Sequence, residues 1–302
     1  MQQHLEHKHI APRGFTLLEM VAVISITAII AVGIVSYIAD AATGYDAAAS
    51  RNKLAQSGRI ALDRLSIELH NSLPNSLRVT PATAAGEQCI EFIPVIGATT
   101  YVNPPLFLPS TEFSVVQFSP NLESATGGYV AIYPTQENEV YDAEYATATG
   151  FPAIGPIEAV SNIDDTIPST TQLSRVTLQS SHRFSEPSPN SRLFYIQDPV
   201  SYCLRNNKLY RYTDYGFYSV QTAVEAEAGV CVVASGDRCL PSASAGGSRL
   251  LITNNVSNAG RTAFKLIPQT LARNALVSID LRFESQGEFV ALNNQVLMRS
   301  VP

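Results

Sequence analysis

Residues 15–38 carry a single charged side chain, Glu19, in a run otherwise dominated by Leu, Val, Ile and Ala, with Ser25, Thr27, Gly33 and Ser36 interspersed. At about 1.5 Å of rise per residue, a helix over this run crosses a hydrocarbon core about 30 Å thick. Beyond it, Leu54, Gly58, Ala61, Leu62, Leu65 and Leu69 recur at spacings of three and four and so fall on one helical face. Arg59, Asp63, Arg64 and Glu68 lie off that stripe. The pattern predicts a helix that is membrane-compatible over residues 15–38 and continues as an amphipathic segment over residues 39–75. Its stripe is expected to pack on the chain's own sheet. Pro74 is the expected stop, with Asn75 and Ser76 in the following turn.

After Pro74 the chain changes to short β-branched and aromatic runs separated by Pro, Gly, Asn and Ser, the pattern of a strand-rich domain over residues 76–302. Expected strands cover residues 89–93, 115–118, 129–133, 175–178 and 192–196. A hairpin is expected over residues 202–212, because Asn206-Asn207 tolerates the positive backbone angles of a tight turn. A second is expected over residues 289–301 around Asn293-Asn294. Residues 275–283 alternate, with Val277, Ile279, Leu281 and Phe283 on the face to be buried. Residues 137–165 and 185–191 read as surface loops.

The flanks of the apolar run orient it. Lys8 and Arg13 precede it and Asp40 and Asp46 follow it, so the positive-inside rule leaves the N-terminus in the cytoplasm and exports the rest. An ordinary secretory signal would have the same outline, with Ala31-Val32-Gly33 or Ala39-Asp40-Ala41 as cleavage sites. The run is long for a signal core, and a carboxylate near a membrane centre costs roughly 2.5 to 3.5 kcal/mol, so Glu19 needs a reason to be there.

Gly14-Phe15-Thr16-Leu17-Leu18-Glu19-Met20, followed by the apolar run, resembles the cleavage and methylation motif of type IV pilins and type II secretion pseudopilins. The resemblance implies that a membrane-embedded prepilin peptidase cuts after Gly14 and methylates the new amine of Phe15, leaving residues 1–14 as a leader. A physical role for Glu19 follows. After cleavage Phe15 carries an ammonium, which Glu19 of a neighbouring subunit can neutralise at the same depth. Breaking such a buried pair costs on the order of 3 to 5 kcal/mol.

Cys89, Cys203, Cys231 and Cys239 all lie in the exported part, and an even count there favours disulfides. Of three pairings, the one expected joins Cys231 to Cys239 across a short loop through Gly236 and Cys89 to Cys203 between two strands. No C-x-x-C spacing supports zinc. Glu137, Glu139, Asp142 and Glu144 lack the regular spacing of a calcium loop and read as solvated charge. No metal and no cofactor is expected.

Three of five histidines, His4, His7 and His9, fall in the leader. His70 and His182 belong to no nucleophile-elbow, metalloprotease or P-loop motif, so the chain reads as a non-enzyme. The formal charge of −6 disfavours nucleic acid. Tyr210, Tyr212, Tyr215 and Tyr218 suit strand composition better than a sugar-stacking patch.

The chain also resembles the MSHA pilus biogenesis proteins of the MshO type, related in layout to J-type minor pseudopilins. The residues concerned are Leu62-Asp63-Arg64-Leu65, Leu73-Pro74-Asn75-Ser76, Cys89-Ile90-Glu91-Phe92, Val200-Ser201-Tyr202-Cys203-Leu204 and the closing strand to Pro302. This implies an α+β pilin fold and a minor pilin that starts or caps a mannose-sensitive haemagglutinin type pilus. Its partners would be the prepilin peptidase, other pilins and the inner membrane. A type II secretion pseudopilin and a membrane-anchored adhesin or carbohydrate-binding module are the alternatives.

Overall fold

The computed structural model describes residues 14–117, 128–141, 153–162, 173–218, 221, 240, 248–268 and 274–298. One continuous helix, α1 (Leu17–His70), opens the chain. Strands β1 (Arg78–Val79), β2 (Gln88–Phe92), β3 (Val95–Val102), β4 (Ser110–Val116) and β5 (Tyr129–Ala131) come next, then the short helix α2 (Asn138–Tyr141). They are followed by β6 (Ile154–Asn162), β7 (Leu173–His182), β8 (Arg192–Ile196), β9 (Val200–Arg205) and β10 (Lys208–Thr213). The last four are β11 (Ser248–Asn254), β12 (Phe264–Ile267), β13 (Leu276–Ser285) and β14 (Glu288–Leu297). The fold is α+β, and the chain divides into two compact units, residues 1–52 and 53–302.

In the first unit every residue from 14 to 46 is exposed. Three of its hydroxyls nonetheless bond the helix's own backbone: Ser25 and Thr27 donate to the Val21 and Val23 carbonyls at 2.8 Å, and Ser36 donates to Val32 at 3.0 Å. A helix whose few polar side chains bond its own backbone suits a medium with no water to offer.

In the second unit, the stripe Leu54, Gly58, Ala61, Leu62, Leu65 and Leu69 is the buried face of α1, as its periodicity predicts. It shares one apolar cluster with two antiparallel sheets. From the five-stranded sheet, ordered β1-β2-β9-β10-β11, come Ile90, Phe92, Val200, Tyr202, Leu204 and Leu209. From the three-stranded sheet, ordered β12-β13-β14, come Phe264, Val277, Ile279, Leu281, Phe283 and Val296. Fully burying each such side chain contributes about 1.5 to 3 kcal/mol.

Polar contacts at the edges of this core fix its register. Glu68, off the stripe, accepts from Tyr202 Oη at 2.8 Å and from Arg211 Nε at 2.9 Å, tying α1 to β9 and β10. On the other flank Asn294 Nδ2 donates to Ser66 Oγ at 2.7 Å. Buried Gln88 clasps the two sheets together. Its Nε2 donates to the Thr80 and Phe264 carbonyls, and its Oε1 accepts from the backbone N–H groups of Ala263 and Phe264, all within 3.0 Å.

Between β2 and β9 the chain makes a closed six-stranded antiparallel barrel, β3-β4-β7-β6-β5-β8. Its interior holds Phe113, Val115, Val130, Ile157, Val176, Leu178, Phe184, Leu193 and Tyr195. The two chain passages into the barrel run side by side: Phe92 pairs with Val200 and Val95 with Ile196, and Gln197 N–H donates to Pro94 O at 3.2 Å. The residues leaving α1 brace this neck. Val95 N–H donates to Asn71 O and Leu73 N–H to Ile93 O, both at 2.8 Å, and Ile93 N–H reaches Ser76 Oγ at 3.1 Å.

Several sequence expectations change here. The hairpin over residues 202–212 forms, with Asn206 and Asn207 at φ 48° and 59°. The one expected around Asn293-Asn294 does not: both lie within β14, opposite Asp280 and Ile279, and the turn is at Gln286-Gly287 with φ 53° and 79°. Polar side chains suffice at Asn293 and Gln295 because that face of the sheet is exposed. Within residues 137–165, read as loop, lie α2 and β6. Pro156 hides β6, and a register shift between Ile157 and Ala159 interrupts its pairing with β7. The strand expected at residues 115–118 begins earlier, at Ser110, and Phe118 lies outside the described residues. Helix α1 ends at His70, ahead of Pro74.

Gly58 marks the closest approach of α1 to the three-stranded sheet. A Cβ there would lie 2.7 Å from Phe283 Cε2 and about as close to Leu292, and Phe283 is fully buried. Gly58→Ala should therefore destabilise the protein by about 1 to 3 kcal/mol, although alanine favours a helix by about 0.5 to 1 kcal/mol. Denaturant unfolding of the detergent-solubilised chain measures the difference, and a stabilised variant would contradict this contact.

Candidate processing and assembly site

Gly14, Phe15 and Thr16 precede α1. Thr16 caps the helix: its Oγ1 accepts the Glu19 N–H at 3.2 Å, and its carbonyl accepts from Glu19 and Met20. Thr16-Leu17-Leu18-Glu19 thus has the spacing of a capping box, with the carboxylate in the first turn, where the helix dipole favours negative charge. Phe15 is 77% exposed and Glu19 is exposed too, with no cation against it among the described residues. The structure places Gly14, Phe15 and Glu19 on one helical start. Among the described residues α1 is the helix long and apolar enough to cross a membrane.

The cysteines divide. Cys89 and Cys203, directly opposite each other on β2 and β9, form a disulfide. Cys231 and Cys239 lie outside the described residues.

Around that disulfide the sheet has a second, polar character that sequence reading missed. Arg78, Glu91, Ser201 and Tyr212 form one cross-strand row through β1, β2, β9 and β10. Arg78 is 4% exposed and Glu91 2%. Arg78 Nε donates to Glu91 Oε2 at 2.6 Å and its Nη2 to the Tyr218 carbonyl at 2.7 Å, while its guanidinium lies 3.6 Å above the Tyr141 ring. Tyr215 Oη donates to Glu91 Oε1 at 2.8 Å and also meets Ser201 Oγ. Burial raises the Glu91 carboxyl above its ordinary range, and the Arg78 charge works against that rise. In sequence, Arg78 and Glu91 stand 13 residues apart with no motif between them. The detectable signal was only an arginine and a glutamate within otherwise apolar strands.

The remaining candidates find structural employment. Tyr212 and Tyr215 are buried with Leu240 against the disulfide, so the tyrosine run includes cover for the core. Glu139 accepts from the Thr135 N–H and Oγ1 at the start of α2, and Glu137 stands 3.8 Å from Arg78; Asp142 and Glu144 lie outside the described residues. His182 is buried edge-on against Phe184 in the barrel, and His70 is exposed at the end of α1. No cluster of three or more His, Cys, Asp or Glu suited to a metal occurs among the described residues.

Arg78→Met strands a buried carboxylate and should cost about 3 to 5 kcal/mol, whereas Arg78→Met combined with Glu91→Leu should recover most of that loss. Unfolding of the oxidised chain in denaturant compares them. A double variant no more stable than Arg78→Met would show that the packing, rather than the uncompensated charge, sets the cost. Reducing Cys89–Cys203 should lower the melting temperature, since such a crosslink typically contributes about 2 to 4 kcal/mol.

Comparison with known proteins adds one finding at the N-terminus. Residues 11–35 match the prokaryotic N-terminal methylation motif. No curated protein and no solved structure matches the chain. The match spans Gly14, Phe15, Glu19 and the apolar start of α1, and includes the Thr16 cap. It supports a protein of the type IV pilin or pseudopilin kind, structural rather than enzymatic, and is consistent with prepilin peptidase processing and membrane anchoring.

Proposed function

We propose that this chain is a minor pilin, a structural subunit that starts or caps assembly of an MSHA-type type IV pilus. The methylation motif over residues 11–35, set on the capped start of a helix whose apolar residues are all exposed as far as residue 46, is the observation that carries the reading. The prepilin peptidase cuts between Gly14 and Phe15 and methylates the new amine. The apolar part of α1 holds the subunit in the inner membrane with residues 53–302 in the periplasm, then passes into the filament among other pilins. There Glu19 accepts the Phe15 ammonium of a neighbouring subunit, turning two isolated charges in an apolar medium into one pair. The MSHA assignment rests on the sequence resemblance alone. A type II secretion pseudopilus would use the same helix in the same way.

N-terminal sequencing of the mature protein should begin at methylated Phe15; a start at Ile34 or Ala42 would mean ordinary signal cleavage. Glu19→Ala should leave processing and the stability of residues 53–302 intact while sharply reducing surface pili. Normal filament counts with normal incorporation of the variant would refute the ion-pair role.

A further inference from the structure

Strand β14 is an edge: among the described residues nothing pairs with it on the side away from β13. Its hairpin fixes which groups face outward. Ser285 pairs with Glu288 across the two-residue turn Gln286-Gly287, and residues flanking such a turn exchange both main-chain bonds. Even-numbered residues of β14 therefore bond β13, an alternation that Met298 continues by donating its N–H to Ala275 O at 2.9 Å. Phe289, Ala291, Asn293, Gln295 and Leu297 turn their N–H and C=O groups outward. One of these N–H groups, that of Gln295, is met by the side chain of its own neighbour, Asn294 Oδ1, at 2.9 Å.

Edge strands commonly carry a charge, a proline or a bulge that discourages pairing with another chain. The edge strand β11 has Arg249, and its pairing with β10 is broken by a register shift between Leu209 and Tyr210. Residues 289–297 have no charged residue, no proline and no shift of register. Their exposed face carries a large apolar side chain at each end, Phe289 at 56% and Leu297 at 51% exposure, with Ala291, Asn293 and Gln295 between.

That arrangement selects the occupant. A two-fold axis through Asn293 sets a second β14 antiparallel to the first, with Phe289 opposite Leu297, Ala291 opposite Gln295 and Asn293 opposite itself. Each exposed apolar side chain then meets an apolar one. On the other face the half-buried Val290 meets Val296, and Leu292 meets Asn294. Glu288, the charged residue of the strand, falls opposite Met298, so no like charges meet. Shifting the axis to Leu292 would set Phe289 against Gln295 and Leu297 against Gly287. Shifting it to Asn294 would carry Phe289 past the end of the partner strand. The strand is thus complementary to itself in one register.

We propose that β14 is the docking edge for a second copy of this chain, the two three-stranded sheets joining into one continuous antiparallel sheet about a two-fold axis at Asn293. The proposal rests on residues 53–302 and depends neither on membrane anchoring nor on filament assembly.

Sedimentation of the detergent-solubilised full chain should show a monomer–dimer equilibrium. Asn293→Pro removes an outward N–H and no bond to β13, so the strand keeps its place, while the dimer should weaken about tenfold or more. Ala291→Lys leaves the backbone intact and should weaken it likewise, by setting a charge on the joined edges. Leu250→Lys, on the exposed part of β11, should leave association unchanged. Oxidative crosslinking reads the register: Asn293→Cys should link to itself, and Ala291→Cys should link to Gln295→Cys in a mixture but not to itself, beyond any background from the unaltered chain. Any of four results would overturn the proposal: a chain monomeric at every concentration; a dimer that survives both β14 variants, which would place the contact elsewhere; equal weakening by Leu250→Lys; or self-linking of Ala291→Cys as strong as that of Asn293→Cys.

Discussion

The pairing of β2 with β9 is the constraint from which most of the structure follows. These strands are neighbours in the sheet although their bonded cysteines stand 114 residues apart in sequence. Bringing such distant segments together costs chain entropy before any contact rewards it. The barrel lowers that cost, because its own closure brings Val95 beside Ile196, only a few residues from Phe92 and Val200. Local closure of the insert and long-range closure of the sheet are thus one event seen from two sides, and the disulfide makes it permanent.

The two faces of that sheet solve opposite problems. One is apolar and receives the Leu54 to Leu69 stripe of α1. The other buries an arginine and a glutamate, which is tolerable only because nearly every polar atom of the pair has an assigned partner: Glu91 meets Arg78 and Tyr215, and Arg78 meets Glu91, the Tyr218 carbonyl and the Tyr141 ring. The stretch after β10 and the helix α2 therefore hold their places partly by completing this network. Hydrophobic contact alone would let them slide; directional bonds to a buried charge do not.

Features encoded locally were legible in the sequence, and those encoded by distant neighbours were not. The α1 stripe, the Asn206-Asn207 turn and the alternation of Val277, Ile279, Leu281 and Phe283 each declare themselves within a dozen residues. Asn293-Asn294 misled because paired asparagines carry the same turn propensity wherever they stand, and only the structure shows why both are tolerated in a strand: Asn293 lies on the exposed face of β14 and Asn294, on the other, bonds Ser66 of α1. The barrel was invisible for a different reason: a closed sheet is a property of which strands pair, and Pro156 and the shifted registers of β3, β4 and β6 blur the alternation that would mark its members. At the N-terminus, by contrast, the methylation motif lies on consecutive residues, which is why it could be read whole. Gln88, with four hydrogen bonds across two sheets, had no local signature at all.

The neck gives the molecule a modular joint. Because the chain enters and leaves the barrel on adjacent, hydrogen-bonded passages, the sheet below experiences residues 95–196 much as it would a tight turn joining β2 to β9. Lineages could lengthen, replace or lose that insert without redesigning the helix or the two sheets, so the helix and the barrel are free to diverge at different rates. The same joint is a natural place to graft a foreign domain whose ends lie close together.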